Sequence, residues 1–102
     1  MSLKIDRNYN HGKWEIKVVG EADLYTASNF RTTLEEIYSE KKADFLMDIS
    51  ELVYMDSTGL GVIIGAYGRM KESGNKLTLL KPASNIKKLL SITKLDKVLC
   101  AE

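Results

Sequence analysis

Cysteine, histidine and proline occur once each in this 102-residue chain, at Cys100, His11 and Pro82. One cysteine excludes an internal disulfide and fits a reducing compartment. A Cys–His nucleophile pair would have to join opposite ends of the chain, and a zinc site lacks most of its ligands. Neither sign of charge predominates: fifteen basic residues face fourteen acidic ones, a formal net charge of +1. That balance supplies no electrostatic footprint for nucleic acid. The longest apolar stretch, Val62 to Tyr67, is far shorter than the ~20 residues of a membrane span. Met1-Ser2-Leu3-Lys4-Ile5-Asp6 carries charges where a secretory leader would be apolar. These absences predict a soluble cytoplasmic protein with no metal, cofactor, membrane or nucleic-acid partner.

What is present suits one domain spanning residues 1–102. At 44% apolar and 28% charged, the chain can bury a core without staples. Leu3 to Tyr9 alternates with a period of two, and Trp14, Ile16 and Val18 form one face of a second strand. Asn10-His11-Gly12-Lys13 between them is turn chemistry, because Asn and Gly tolerate positive φ. Gly20 to Tyr25 reads as a connecting loop.

From Thr26 to about Lys41 the period becomes helical, with Phe30, Leu34, Ile37 and Tyr38 on one face. Phe45 to Ile49 reads as a buried strand, and Leu52 to Met55 as the segment leading out of it. A second helix is predicted over Thr58 to Ser73, stopping near Gly74-Asn75. Lys76 to Lys81 reads as a strand that Pro82 ends. Ser84 is a candidate cap for a short helix marked by Ile86, Leu89 and Leu90, and Leu95 to Leu99 could be a last strand. The resulting β-β-α-β-α-β-α-β order is an α/β fold. Right-handed crossovers make it a mixed, mostly parallel sheet, opened by a β-hairpin and covered by α-helices.

In such sheets functional loops lie beyond the carboxyl ends of strands. Glu21 and Asp23 follow the second strand, while Asp56 and Ser57 follow the third. Parallel strands would bring both loops to one end of the domain. Asp56-Ser57-Thr58-Gly59 opens a helix, where free N–H groups and the dipole favour negative charge. Asp56 or Ser57 could simply cap that helix. A phosphoryl group on Ser57 would gain from the same donors while adding roughly −1.5 to −2 charges at pH 7.

A helical projection at 100° per residue separates three groups. Leu60, Ile64 and Tyr67, with Ile63 at the margin, form an apolar stripe suited to the sheet. Gly61, Gly65 and Gly68 cluster together. Val62, Ala66, Arg69 and Ser73 point away from the predicted core stripe. The glycines either pack closely inside the domain or offer a smooth docking face, with Val62 and Ala66 as small apolar contacts. Gly59, Gly61 and Gly65 do not have dinucleotide-binding spacing, and no phosphate-binding P-loop occurs. No nucleophile-elbow motif surrounds Ser57, and the only candidate base is His11 in a hairpin turn. Catalysis is therefore not expected.

Gly20-Glu21-Ala22-Asp23 followed by Thr26, and Met55-Asp56-Ser57-Thr58-Gly59-Leu60-Gly61-Val62, resemble the STAS family. The specific likeness is to bacterial anti-sigma-factor antagonists, over nearly the whole chain. The resemblance implies a protein that binds an anti-sigma factor, itself a serine protein kinase, and so frees a sigma factor. It implies Ser57 as the residue that kinase phosphorylates to switch binding off, and a serine phosphatase that restores it. Glu21, Asp23, Asp56, Thr58 and Gly59 then surround the phosphosite, and Leu60, Gly61, Val62, Gly65, Ala66 and Arg69 contribute to the partner face. Ala22 stands where family members often have a larger aliphatic residue, and the sequence ends at Glu102, about where the family continues into a C-terminal helix. Three other readings share these residues: a STAS scaffold or accessory subunit of a signalling or transporter complex, a receiver-like phosphoacceptor at Asp56, and small-nucleotide binding at the helix start. The opening hairpin argues against the receiver, and no base-recognition motif stands behind nucleotide binding.

Overall fold

Two antiparallel strands, β1 (Leu3–Asn10) and β2 (Lys13–Ala22), open the chain. Their register pairs Asn10 with Lys13, leaving His11 and Gly12 as a two-residue turn with φ of 54° and 79°. Two positive φ values suit the right-handed twist of a hairpin. His11 rather than Asn10 takes the first left-handed position. The structure, a computed structural model, describes residues 2–100. After the hairpin come α1 (Ala27–Glu40), β3 (Asp44–Asp48), β4 (Leu52–Met55), α2 (Ser57–Glu72), β5 (Leu77–Leu80), α3 (Ser84–Ile92) and α4 (Asp96–Leu99).

The sheet runs β1-β2-β3-β5, with β4 also pairing β2. All pairings except β1–β2 are parallel. The mixed sheet expected from the alternation of elements is therefore present. Leu52 to Met55 is a strand in its own right, however. β3 runs beside the first half of β2, with Asp48 opposite Lys17, and β4 runs beside the end of β2, with Leu52 opposite Gly20. A turn between them, closed by Leu52 N–H on Ile49 O at 3.1 Å, absorbs the extra residues. This pairing carries β2 through Ala22, so the expected Gly20–Tyr25 loop begins only at Asp23.

Alternation along β2, β3 and β5 sends Trp14, Ile16, Val18, Phe45, Met47, Leu77 and Leu79 to one face, all buried. Phe30, Leu34 and Ile37 of α1 close over them, as their helical spacing predicts, with Val62, Ile63, Ala66 and Met70 of α2. Tyr38 is half-buried and donates to Asn75 Oδ1 at 2.6 Å. Trp14 Nε1 donates to Lys41 O at 2.8 Å, tying the hairpin to the end of α1. Among the described residues no helix is long and apolar enough to cross a membrane.

The end of the chain departs from expectation. Leu95 to Leu99 is not a strand: Asp96–Leu99 is one helical turn, and only Cys100 bridges to Leu79. A strand would turn Lys97 inward with Leu95 and Leu99. Here Leu99 is buried and Leu95 partly so, four residues apart, while Lys97 is exposed. Ser84 is the first residue of α3 rather than its cap; Ala83 holds that position without a side-chain bond.

Two carboxylates fasten the fold at the two ends of β3. Asp44 accepts from Lys76 N–H at 3.0 Å and Asn75 Nδ2 at 3.2 Å, and Asp48 accepts from Ser50 N–H at 2.9 Å. The Lys76 backbone bond holds the Asp44 carboxyl below its ordinary value of 3.8, and the Ser50 backbone bond does the same for Asp48. Because both titrate lower in the folded chain, the unfolded chain takes up these protons first as pH falls. Their stabilisation is complete above the unfolded value and is lost as pH drops through it towards the folded one. We expect the urea midpoint to fall as pH is lowered below 3.8. Asp44→Asn should show a smaller loss over that window. An unchanged pH slope in the variant would assign the acid sensitivity to other groups.

Candidate functional site

Because β2 and β4 are parallel and pair Ala22 with Met55, the segments that follow them emerge side by side. Asp56 is the hub of this end. Its N–H donates to Ala22 O at 3.1 Å, and its carbonyl accepts the first helical bond from Leu60 N–H at 3.0 Å. Its Oδ1 accepts from Thr58 N–H at 2.9 Å and Gly59 N–H at 3.0 Å, capping α2. Its Oδ2 accepts from Leu24 N–H at 3.2 Å, across to the β2–α1 loop. One carboxylate thus joins both candidate loops. Gly59 seats the helix: a Cβ there would lie 2.3 Å from Ala22 O.

The other loop is organised from within. Asp23 is buried, at 3% exposure. Its Oδ1 accepts from Tyr25 N–H at 2.9 Å and Thr26 N–H at 3.0 Å. Thr26 Oγ1 donates to Glu21 O and accepts from Asp23 N–H, both at 2.9 Å. Asp23 Oδ2 is buried without a hydrogen-bond partner. Asp23 therefore shapes the loop from inside, and Glu21 sits half-buried on β2. These bonds hold Leu24 and Tyr25 outward, at 67% and 80% exposure. Neither was singled out from sequence. Two large apolar residues in a loop otherwise made of turn formers were the available signal.

Ser57 is the first residue of α2 and is exposed. The donors expected to receive its phosphoryl group are already taken, because Asp56 occupies the Thr58 and Gly59 N–H groups. A phosphate on Ser57 would instead join the Asp56 carboxylate at an acidic end of the molecule.

The projection of α2 needs correction. Leu60 is buried as expected, but so are Val62 at 2% and Ala66 at 4%, whereas Ile64 is 42% exposed. Leu60, Val62 and Ala66 are therefore not surface contacts. The helix packs on α1 as well as on the sheet, and this second neighbour rotates the buried arc towards the small residues. Small side chains let two helices approach closely. The glycines lie opposite that arc. Gly61 and Gly68 are exposed, with no atom within 4 Å of an added Cβ; Gly65 is half-buried, and a Cβ added there would lie 3.3 Å from Arg69 Nη1. Arg69 is exposed and faces Glu35 at 3.7 Å. Close internal packing thus belongs to Gly59, and the Gly61–Gly68 face is open.

His11 sits beyond the opposite end of the ten-residue β2, about 30 Å away at ~3.3 Å per residue. It cannot serve as a base for Ser57. The α/β domain thus presents Ser57 beside an open helix face of small residues. The chain belongs to the STAS domain family, whose profile matches residues 4–101.

Among its relatives is the anti-sigma-B factor antagonist of Bacillus subtilis, 31% identical over 97% of this chain and 90% of that one. The anti-sigma-B factor antagonist of Listeria monocytogenes is 37% identical over 83% of this chain and 75% of that one. An anti-sigma factor antagonist from Mycobacterium paratuberculosis shares the fold, with a TM-score of 0.83 at 21% identity over 96% of this chain and 83% of its own.

Asp56→Ala should cost about 1 kcal/mol of stability through loss of the cap, and should speed amide exchange at Leu24 and Thr58; unchanged exchange at Leu24 would contradict the bridging role. Gly59→Ala should lower the melting temperature, since the new methyl meets backbone. Gly68→Ala should raise stability by about 0.5–1 kcal/mol. Thermal denaturation of both variants checks the contrast between these two positions.

Proposed function

We propose that this chain is a cytoplasmic anti-sigma-factor antagonist that binds an anti-sigma factor in its unphosphorylated form and is switched off by phosphorylation of Ser57. The observation that carries this reading is the position of Ser57. It is exposed at the head of the open Gly61–Ile64–Gly68 face and beside the exposed Leu24 and Tyr25. Family membership and relatives named for anti-sigma-B antagonism support this choice of partner class.

The mechanism is one of binding rather than catalysis by this chain. Glycines at positions 61 and 68 let a partner's backbone approach α2 closely, and Leu24, Tyr25 and Ile64 supply apolar anchors around that approach. An anti-sigma factor held there no longer sequesters its sigma factor. A kinase activity of the anti-sigma factor transfers the γ-phosphoryl group of ATP to Ser57 Oγ, releasing ADP. The phosphate then places bulk and nearly two negative charges in the contact, beside Asp56. Each ~1.4 kcal/mol lost weakens binding tenfold, so a few kcal/mol makes a working switch. A serine phosphatase resets it. Asp56 is a poor acyl-phosphate acceptor by comparison, since both its oxygens already accept backbone N–H groups.

Phosphopeptide mapping after incubation with the cognate kinase and ATP should find phosphate on Ser57 that resists hydroxylamine. Labile phosphate would move the site to an aspartate. Ser57→Ala should bind the kinase yet escape phosphorylation, and Ser57→Asp should bind at least about tenfold more weakly; full binding by the Asp variant defeats the switch. Tyr25→Ala and Ile64→Ala should each weaken binding without lowering the melting temperature, and calorimetric titration reads this loss directly. Co-purification with a transporter subunit instead of an anti-sigma factor would support the accessory-subunit reading.

A further inference from the structure

The net charge of +1 conceals a division. Between Lys76 and Lys97 there are six lysines and one acidic residue, Asp96, whereas residues 1–75 hold nine basic and twelve acidic residues. All six lysines are exposed, and the ion pairs among the described residues use Arg7, Lys17 and Arg69 instead. The basic third of the chain builds β5, α3 and α4. It borders a groove of about 410 Å³ between the end of α2 and α4, lined by Tyr67, Lys71, Gly74, Asn75, Lys76 and Val98. This groove lies roughly 20 Å along α2 from Ser57 at ~1.5 Å per residue.

The groove has walls of two kinds. Tyr67 and the half-exposed Val98 are apolar, and Lys71 and Lys76 are cationic, with Lys71 Nζ 5.9 Å from the Tyr67 ring centre. Carbonyls at a helix C-terminus would ordinarily oppose an anion. Here they are engaged. Gly74, at φ 85°, donates to Lys71 O at 3.0 Å, and Asn75 N–H donates to Met70 O at 2.8 Å, the Schellman arrangement. The charged side chains lining the groove are therefore the two lysines, and the nearby Asp44 carboxylate is engaged by Lys76 N–H and Asn75 Nδ2.

We propose that this groove docks an acidic segment of a partner protein carrying one or two apolar side chains, independently of the state of Ser57. Carboxylates of that segment pair with Lys71 and Lys76, and an apolar side chain lies against Tyr67 and Val98. Charge complementarity selects a protein ligand of this kind. The exposed apolar surface on this side comes from Ile92 and Val98, too little for insertion into lipid. The groove has no arginine in its lining and a single aromatic, Tyr67, where single-stranded nucleic acid takes a row of aromatics on which successive bases stack. The domain would thus have two independent contacts, one switched by phosphate and one constant, so that a bound partner could remain attached while Ser57 cycles.

The test uses the full chain labelled with ¹⁵N and a synthetic peptide of Asp and Glu with two central leucines. Its Asn/Gln counterpart serves as the neutral control. Shifts should localise to Tyr67, Lys71, Gly74, Lys76 and Val98, and affinity should fall steeply with salt. Lys71→Gln combined with Lys76→Gln should weaken binding about tenfold or more with the fold retained by circular dichroism. Ser57→Asp should bind the peptide as the unmodified chain does, which separates this contact from the phosphorylation switch. Equal shifts from the neutral peptide, shifts spread over the whole surface, or no shifts would overturn the proposal. So would tighter binding to phosphatidylserine vesicles or to single-stranded RNA than to the acidic peptide.

Discussion

The site rests on the two-ended carboxylate of Asp56. One oxygen closes the first turn of α2 and the other holds the β2–α1 loop by Leu24 N–H. Hydrogen bonds to a charged group contribute more than neutral ones. They act here where two strands have ended and no ladder remains to align the chain. The parallel pairing of β2 with β4 brings the two loops together, and Asp56 then keeps them in register. Ser57 is exposed because its neighbour has already satisfied the helix. A serine that is not needed as a cap is free to be modified.

Small residues on α2 divide between two roles according to their position on the helix. Gly59 lies where any Cβ would strike Ala22, and Val62 and Ala66 occupy the seam with α1. Gly61 and Gly68 face solvent and contribute nothing to the fold beyond a helix-propensity cost. The open glycines, with exposed Ile64, Leu24 and Tyr25, form a surface whose composition packing does not require. Packing explains the inner small residues, and the outer ones belong to the proposed docking face.

Charge is also unevenly distributed. The segments around Ser57 carry Glu21, Asp23 and Asp56, and the lysines of the final third lie along β5, α3, α4 and their connections. A phosphate on Ser57 deepens the contrast rather than neutralising it. The absence of a freely available donor set at the helix start fits a switch that acts on a partner more than on the fold.

Local periodicity was enough to locate both halves of the hairpin, the core face of α1 and the extents of α2 and β5. Each of these elements is amphipathic on its own account. The motif around Ser57 was equally legible, because capping residues at a helix start declare themselves by type and spacing. What could not be read was which neighbour each face would meet. The position of α1 turned Val62 and Ala66 inward and Ile64 outward. The pairing with β2 made a strand of Leu52–Met55, and docking of Leu95 and Leu99 made a helical turn of the last segment. A sequence encodes the amphipathicity of an element. The direction in which that element is buried depends on distant residues packed against it, and only the tertiary structure supplies them.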